Sequence, residues 1–345
     1  MHLFSPLSSP LSSLFVRNLF SFTLLFSFLS TSLFADESNW QLYHAKVYIE
    51  NDLLSQSDSQ YTGGTKIDLL YKIENPNDSL YSLLFVDDSK SYSFVSFAIG
   101  SQLYTPQDLS KKEPIYDDWS YAAWTYIEAG IHKSTADSLS SLVVKLGMVG
   151  PSAQGEAIQK SIHKWTGSEI PEGWQNQLYD EVGLNLGYMY KRRYAYDFDD
   201  GYSLALIPAL SVDLGNIYTA ASAGAFMRFG YKIPKDFGAT TISVGAESDI
   251  PAYEEHKKKY KGWSYSFNIA LRACAVAKDI FVEGNTFKTS IVTHERENFV
   301  AYYGGGFSVR YDSFIVDFMQ IHNTPRAKDL HESQTVGSVI ISYLF

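Results

Sequence analysis

From Tyr202 to Leu214 the chain alternates. Tyr202, Leu204, Leu206, Pro208, Leu210, Val212 and Leu214 occupy one set of positions, and Ser203, Ala205, Ile207, Ala209, Ser211 and Asp213 the other. The same period recurs in Ile67, Leu69, Tyr71 and Ile73 against Lys66, Asp68, Leu70 and Lys72, and in Tyr265, Phe267, Ile269 and Leu271 against Ser266, Asn268, Ala270 and Arg272. Period two is the signature of β-strands. Further runs near 43–52, 91–103, 119–132, 140–149, 177–192, 218–232, 296–311, 313–322 and 335–345 bring the expectation to about twelve strands, an even number as bacterial outer-membrane barrels require. No connection looks long enough for repeated βαβ crossovers.

In a soluble sandwich the polar face would meet water and carry more Lys and Glu than these strands do. Here the bulky apolar face is opposed by Gly, Ser, Ala and Asn, which suits a barrel whose exterior meets lipid and whose lumen is packed or water-lined. The expected fold is all-β, a transmembrane antiparallel up-and-down barrel, with a short helix in the long 150–176 connection. Other long connections are expected at 104–118, 233–261 and 323–334, and long loops are often functional.

Residues 1–35 hold no Asp or Glu and one basic residue, Arg17, followed by an apolar run from Leu19 to Leu29 and a small residue, Ala35, before Asp36-Glu37. This reads as a cleaved signal peptide, leaving 36–345 as a single barrel domain. No later apolar stretch reaches 18 residues, so only a closed barrel could span a bilayer. Val336 to Phe345 is an alternating strand ending on Phe, like the terminal strand that outer-membrane proteins present to the barrel-assembly machinery. The expected location is the bacterial outer membrane, as a monomer. Composition narrows the field further. Tyr 25, Phe 22 and Trp 6 make 15% of the chain, which favours strands and interfacial belts. A formal charge of -10 argues against nucleic acid as a partner, and Cys274 alone excludes an internal disulfide or a multi-cysteine zinc site.

Two polar clusters interrupt this patterning. Glu50-Asn51-Asp52 ends the first strand and Tyr61-Thr62-Gly63-Gly64 opens the second, so a hairpin brings them together. They are either turn residues or an oxygen-rich site for a hard cation such as Ca²⁺. The second cluster runs from Gly147 to Gln177. Its 153–166 portion reads as a helix with Ser152 as N-cap and Gly167 as stop, and Gln159 and His163, spaced i, i+4, share one face. A lone His is more often structural than catalytic, but neutral imidazole is the usual general base near pH 7. No G-x-S-x-G elbow, zincin motif, P-loop or dinucleotide fingerprint occurs.

Taken together, Glu50-Asn51-Asp52-Leu53 with Tyr61-Thr62-Gly63-Gly64, Gly100 to Pro106, Gly147 to Ser152 with Gln159 and His163, Gly173-Trp174 with Asn176-Gln177, and Asp279 to Phe287 resemble the LpxR-type lipid A 3′-O-deacylases in order and spacing. The similarity runs from about residue 43 to the C-terminus. The resemblance implies a twelve-stranded outer-membrane barrel that depends on Ca²⁺ and hydrolyses the ester holding the 3′ acyloxyacyl chain on lipid A. By position it implies functional roles for Asn51, Asp52, Thr62, Gln159 and His163, for Lys111 or its neighbour Lys112, and for the acid Glu169. Where many relatives read Arg-Pro-Tyr-Ala-Gly-Trp, this chain reads Trp119-Ser120-Tyr121-Ala122-Ala123-Trp124.

The expected chemistry is attack on the ester by a water that His163 deprotonates, with Ca²⁺ as Lewis acid. Asp52, Thr62 and Glu169 are the candidate metal ligands, Asn51 and Gln159 orient ligands or the oxyanion, and Lys111 faces developing charge or a lipid A phosphate. The charged run Glu254 to Lys261 is a solvated loop or a contact to lipopolysaccharide phosphates. Two other readings stand beside this one: a phospholipase with Ser152 or Thr62 as nucleophile, and a non-catalytic pore or structural barrel.

Overall fold

The alternation closes into a wall. In the computed structural model, which describes residues 40–51, 60–86, 90–239, 241–242, 261–331 and 333–345, the strands are β1 (Trp40–Asn51), β2 (Gln60–Ile73), β3 (Tyr92–Thr105), β4 (Ala122–Ser134), β5 (Ser138–Val149), β6 (Glu181–Arg192, continued by Tyr194–Asp197), β7 (Tyr202–Gly215), β8 (Tyr218–Tyr231), β9 (Trp263–Asp279), β10 (Phe299–Tyr311), β11 (Phe314–Asn323) and β12 (Gln334–Leu344). Each pairs with its sequence neighbour, and β1 pairs antiparallel with β12, from His44 opposite Leu344 to Asn51 opposite Gly337. The two segments of β6 share one register on β7, since Lys191 lies opposite Ala209 and Tyr194 opposite Leu206. They are one strand broken at Arg193, so the closed barrel has twelve strands. The signal-peptide residues 1–35, Asp52 and the charged residues 254–260 lie outside the described residues.

The apolar set of each strand points outward. Ile67, Leu206, Leu210, Leu214, Phe267 and Leu271 are exposed on the wall, while Lys66, Asp68, Ser266 and Asn268 are buried inside. Tyr202, Tyr231, Tyr265, Trp263, Tyr311 and Tyr343 gather at the end that carries the turns 198–201 and 312–313, as an interfacial belt does. Among the described residues no helix is long and apolar enough to cross a membrane.

The lumen departs from the expectation of a small, polar inner face. It holds a charged lattice: the Glu128 carboxylate lies 3.7 Å from Lys66 Nζ and 3.5 Å from Lys145 Nζ, and the two ammonium groups sit over the rings of Tyr48 and Tyr126. His44 meets Asp68 at 3.3 Å. Residues 233–239 and 241–242, part of the long connection expected at 233–261, fold back into the barrel. Phe237 is fully buried among Leu70, Phe94, Leu139, Val143, Met189 and Ile207, and Arg228 holds Asp236 at 2.6 Å. At the other end Tyr61, Tyr104, Trp124, Tyr126 and Phe281 form an aromatic cap, with Tyr104 stacked on Phe281 at 4.0 Å. Between plug and cap lies a cavity of about 190 Å³.

Glu128 is the carboxylate common to two buried cations, and removing one partner of a buried ion pair is far costlier than replacing the set with apolar groups. Glu128→Ala is expected to destabilise the barrel by roughly 3 kcal/mol or more. Denaturant unfolding in detergent, followed by the heat-modifiable mobility of the folded barrel, measures it.

Candidate active site

Strand alternation sends Glu50 into the lumen and its neighbour Asn51 to the outer face. The opening of β2 repeats the arrangement by a different route. Gln60 has φ 75°, and the register on β3 slips between Tyr61 and Gly63, so Thr62 is the extra residue of a β-bulge. Tyr61 turns inward and donates its phenol to Glu50 Oε2 at 2.9 Å. Thr62 meets the hydroxyl of Thr105 on β3 at 2.5 Å, and Asn51 Nδ2 donates to the Thr62 carbonyl at 3.3 Å. Both glycines of the motif are sterically required: a Cβ on Gly63 would lie 2.9 Å from the Glu50 carbonyl, and one on Gly64 would overlap the Tyr61 hydroxyl at 2.1 Å.

Two residues hold this bulge from inside: Gln334, which sequence reasoning missed, and Glu50, which it read as part of the rim cluster. Gln334 at the start of β12 accepts from the Tyr61 N–H at 3.1 Å and donates to the Tyr61 carbonyl at 2.9 Å, taking both main-chain groups as a paired strand would. Glu50 Oε1 accepts from the Ile242 N–H of the plug at 2.6 Å. The strand ends that present Asn51 and Thr62 to the outside are therefore anchored to the lumen.

The 150–180 connection lies against the outside of the same wall. Pro151–Ala153 form one 3-10 turn, whose Ala153 carbonyl accepts from Thr125 at 2.9 Å, and the helix proper is Gly155–Thr166. It starts two residues later than expected. Gln154 stands at the N-cap in the left-handed region, while Ser152 gives its N–H and hydroxyl to the Asp180 carboxylate and caps nothing. Gly167 ends the helix at φ 76°, as the sequence predicts. The helix buries Gly155, Gln159 and His163, a stripe of i, i+4, i+8. Under and beside it are Leu103, Leu109, Tyr121, Ala123 and Trp174, with Leu103 and Ala123 on the outward register of β3 and β4.

The stripe is chemically defined. Trp174 Nε1 donates to Gln159 Oε1 at 2.8 Å; an indole N–H can only donate, so the amide orientation follows, and the buried Gln159 Nε2 is left with no partner among the described residues. His163 Nδ1 contacts the main-chain carbonyl of Glu169. A carbonyl can only accept, so Nδ1 carries the hydrogen and Nε2 of the neutral ring holds the free lone pair. The structure thus brings the Glu169 carbonyl to His163, while the Glu169 carboxylate is exposed. Lys111 is also exposed, 3.5 Å from Asp108, and Lys112 lies 3.0 Å from Glu172. Hydrogen bonds from Ser110, with Lys111 nearby, hold the Asp108 carboxyl below its usual value. Trp119, in the divergent stretch, is buried against Val282 and Ala327 beneath Arg326, which is paired to Asp279 at 2.6 Å.

Among the described residues no group of three or more His, Cys, Asp or Glu is placed to hold a metal. With Asn51 Nδ2 turned to the Thr62 carbonyl, the corner offers the Asn51 amide oxygen and the Thr62 and Thr105 hydroxyls, oxygen ligands of the kind a hard cation takes.

The sequence profile described as "Outer membrane protein LpxR" matches residues 19–345. The chain belongs to the LpxR family. Among solved structures, LpxR from Salmonella typhimurium is 20% identical, with a TM-score of 0.70 over 88% of this chain and 100% of that one, and shares the fold. The β domain of the Bordetella autotransporter BrkA aligns over 89% of this chain and 98% of that one at 8% identity and a TM-score of 0.42. No curated protein sequence matches. Like its family, the protein is an outer-membrane β-barrel.

Gln334→Leu keeps the bulk and loses both bonds to Tyr61, each worth about 1 kcal/mol. Faster amide exchange at residues 61–64 is expected while the rest of β2 stays protected. Unchanged exchange there would mean that the bulge holds itself.

Proposed function

We propose that the protein is a Ca²⁺-dependent hydrolase that removes the 3′-linked acyloxyacyl chain of lipid A in the outer leaflet. Family membership supports an outer-membrane enzyme of the lipid A deacylase type. The observation that carries the chemistry is the helix stripe on the outer wall. There, His163 has its Nδ1 occupied and its Nε2 free, one turn from a Gln159 whose carbonyl oxygen is occupied and whose N–H₂ is not.

His163 Nε2 takes a proton from a water as its oxygen attacks the ester carbonyl carbon. Gln159 Nε2–H donates to the carbonyl oxygen, where negative charge develops. The tetrahedral centre then collapses, the bond to the sugar oxygen breaks, and His163 returns the proton to that oxygen. The hydrogen bond to the Glu169 carbonyl fixes the tautomer and aims the ring throughout. Asn51, Thr62 and Asp52 would hold the ion, with Glu169 a further candidate, and bound Ca²⁺ would supply Lewis-acid polarisation of the ester. Lys111, released from Asp108, is a point charge for a lipid A phosphate.

The serine or threonine alternatives find no imidazole among the described residues. Ser152 donates to the exposed Asp180 carboxylate, and Thr62 is bonded to Thr105. An open pore is not favoured either, since the plug and the aromatic cap fill the described lumen from both ends.

Mass spectrometry of lipid A from cells expressing the protein is expected to show loss of one acyloxyacyl unit, abolished by chelation of Ca²⁺ in a membrane assay. His163→Ala is expected to lower the rate by about 10²-fold or more, and Gln159→Ala by about 10²-fold, with barrel folding intact. Near-wild-type rates in His163→Ala would remove the base assigned here; unchanged lipid A with folded wild-type barrel would remove the activity.

A further inference from the structure

At the ends of β3, β4 and β5 the outward row turns polar. Ser93 on β3 lies opposite Lys133 on β4, and Lys133 opposite Ser140 on β5. All three share the outward register, because their neighbours Phe94, His132 and Leu139 are buried on the lumen side. Hydroxyl and ammonium groups in a lipid-facing row are costly. Yet they are 6%, 7% and 0% exposed, so something covers them.

The cover is the connection between β2 and β3. Its single helical turn, Asp78–Tyr81, and the residues to Val86 run across the outside of the wall at the end that carries the short turns 135–137, 198–201 and 312–313. Tyr81 donates to the Phe94 carbonyl of β3 at 2.8 Å. The Phe85 N–H donates to the hydroxyl of Tyr188 on β6 at 3.1 Å, and the two rings meet edge to face at 5.7 Å. Tyr188 in turn meets Ser140 at 2.5 Å. Tyr188 is outward, next to the lumen-facing Met189, and its register partners are Leu142 on β5 and Val212 on β7, both on the apolar exterior. The segment therefore spans from β3 to β6 at a height where the adjacent strands still present apolar residues, down to Leu206 and Leu204 on β7.

The strap divides its side chains as an amphipathic interfacial element does. Tyr81 and Leu84 are buried against the barrel, whereas Leu80, Leu83 and Phe85 are 51%, 51% and 77% exposed. We propose that residues 79–86 form a lipid-inserted strap: it seals the polar row Ser93–Lys133–Ser140 from the bilayer and replaces it with Leu80, Leu83 and Phe85, which contact phospholipid acyl chains at the short-turn end of the barrel. Continuity with the apolar exterior identifies the occupant. A water-facing loop has no reason to bury an ammonium and two hydroxyls while exposing three large apolar side chains.

Nitroxide labels at single cysteines test it in the full-length barrel reconstituted in dioleoylphosphatidylcholine vesicles. The native Cys274 is buried, and unsubstituted protein serves as the labelling control. Labels at Leu83→Cys and Phe85→Cys are expected to collide with dissolved oxygen and to lose access to a water-soluble nickel chelate, matching Leu206→Cys on the wall and opposite to Asp199→Cys in a turn. Nickel access at 83 and 85 equal to that at 199 would overturn the proposal. Replacing Leu80, Leu83 and Phe85 together with Ser is expected to lower the urea midpoint in vesicles; an unchanged or raised midpoint would count against lipid contact. Neither readout depends on enzymatic activity.

Discussion

A strand sends successive side chains to opposite faces, so every strand of this barrel must satisfy lipid and lumen with adjacent residues. At the rim the same constraint joins support to chemistry. Glu50 and Tyr61 face inward and bond to each other, while Asn51 and Thr62, one residue further along each strand, face out. Neither outward residue can move without dragging an inward one. That inward residue is held by Gln334 from β12 and by the main chain of the plug at Ile242. The bulge at Thr62 is what lets β2 obey this rule: without its extra residue, the two inward-outward pairs would not fall at the same height.

This gives the filled lumen a purpose beyond stability. Lys66, Glu128 and Lys145 are buried where their fields are weakly screened, so they favour one arrangement over sliding alternatives, although an apolar filling could match them in energy. Phe237 inserts among apolar residues from several strands, and Arg228 ties the plug to the wall through Asp236. A wall braced in this way is a rigid base for a site built on its exterior. An open channel would leave Tyr61 and Gln334 in water, where their bonds to the bulge compete with solvent.

The barrel was legible because lipid enforces a strict outward alphabet: Leu204 to Leu214 and Tyr265 to Leu271 announce themselves at period two. The helix and the Gln159–His163 spacing were legible for the same reason at period 3.6. What failed was whatever depends on long-range partners. Gln334 and Tyr61 are 273 residues apart, and no local pattern joins them. Ser152 has the chemistry of an N-cap, but Asp180 captures it and Gln154 takes the position in a left-handed conformation. Lys66, Asp68 and Lys72 alternated correctly, yet alternation says only that they face inward, not that Glu128 waits there. Trp174 lay within a noted motif. Its role as the donor that orients Gln159 needed the helix packed against the wall before it could be seen. The strap at 79–86 has no period at all, because its apolar residues alternate between barrel and bilayer irregularly.

On the proposed function, the placement of the helix on the outside, rather than across the mouth of the barrel, decides what kind of substrate the site can meet. A lumenal site would require an amphiphile to leave the membrane, giving up about 0.8 kcal/mol for every CH₂ withdrawn from hydrocarbon. A site pressed against the outer wall lets acyl chains stay in the leaflet while only the ester linkage rises to the helix stripe. In the proposed reaction the same position would keep bulk water from His163 and Gln159 and so strengthen a hydrogen bond to a developing oxyanion. It also explains why a plugged lumen is no obstacle. The barrel never has to pass anything through; it has to hold Asn51 and Thr62 still at the edge of a fluid.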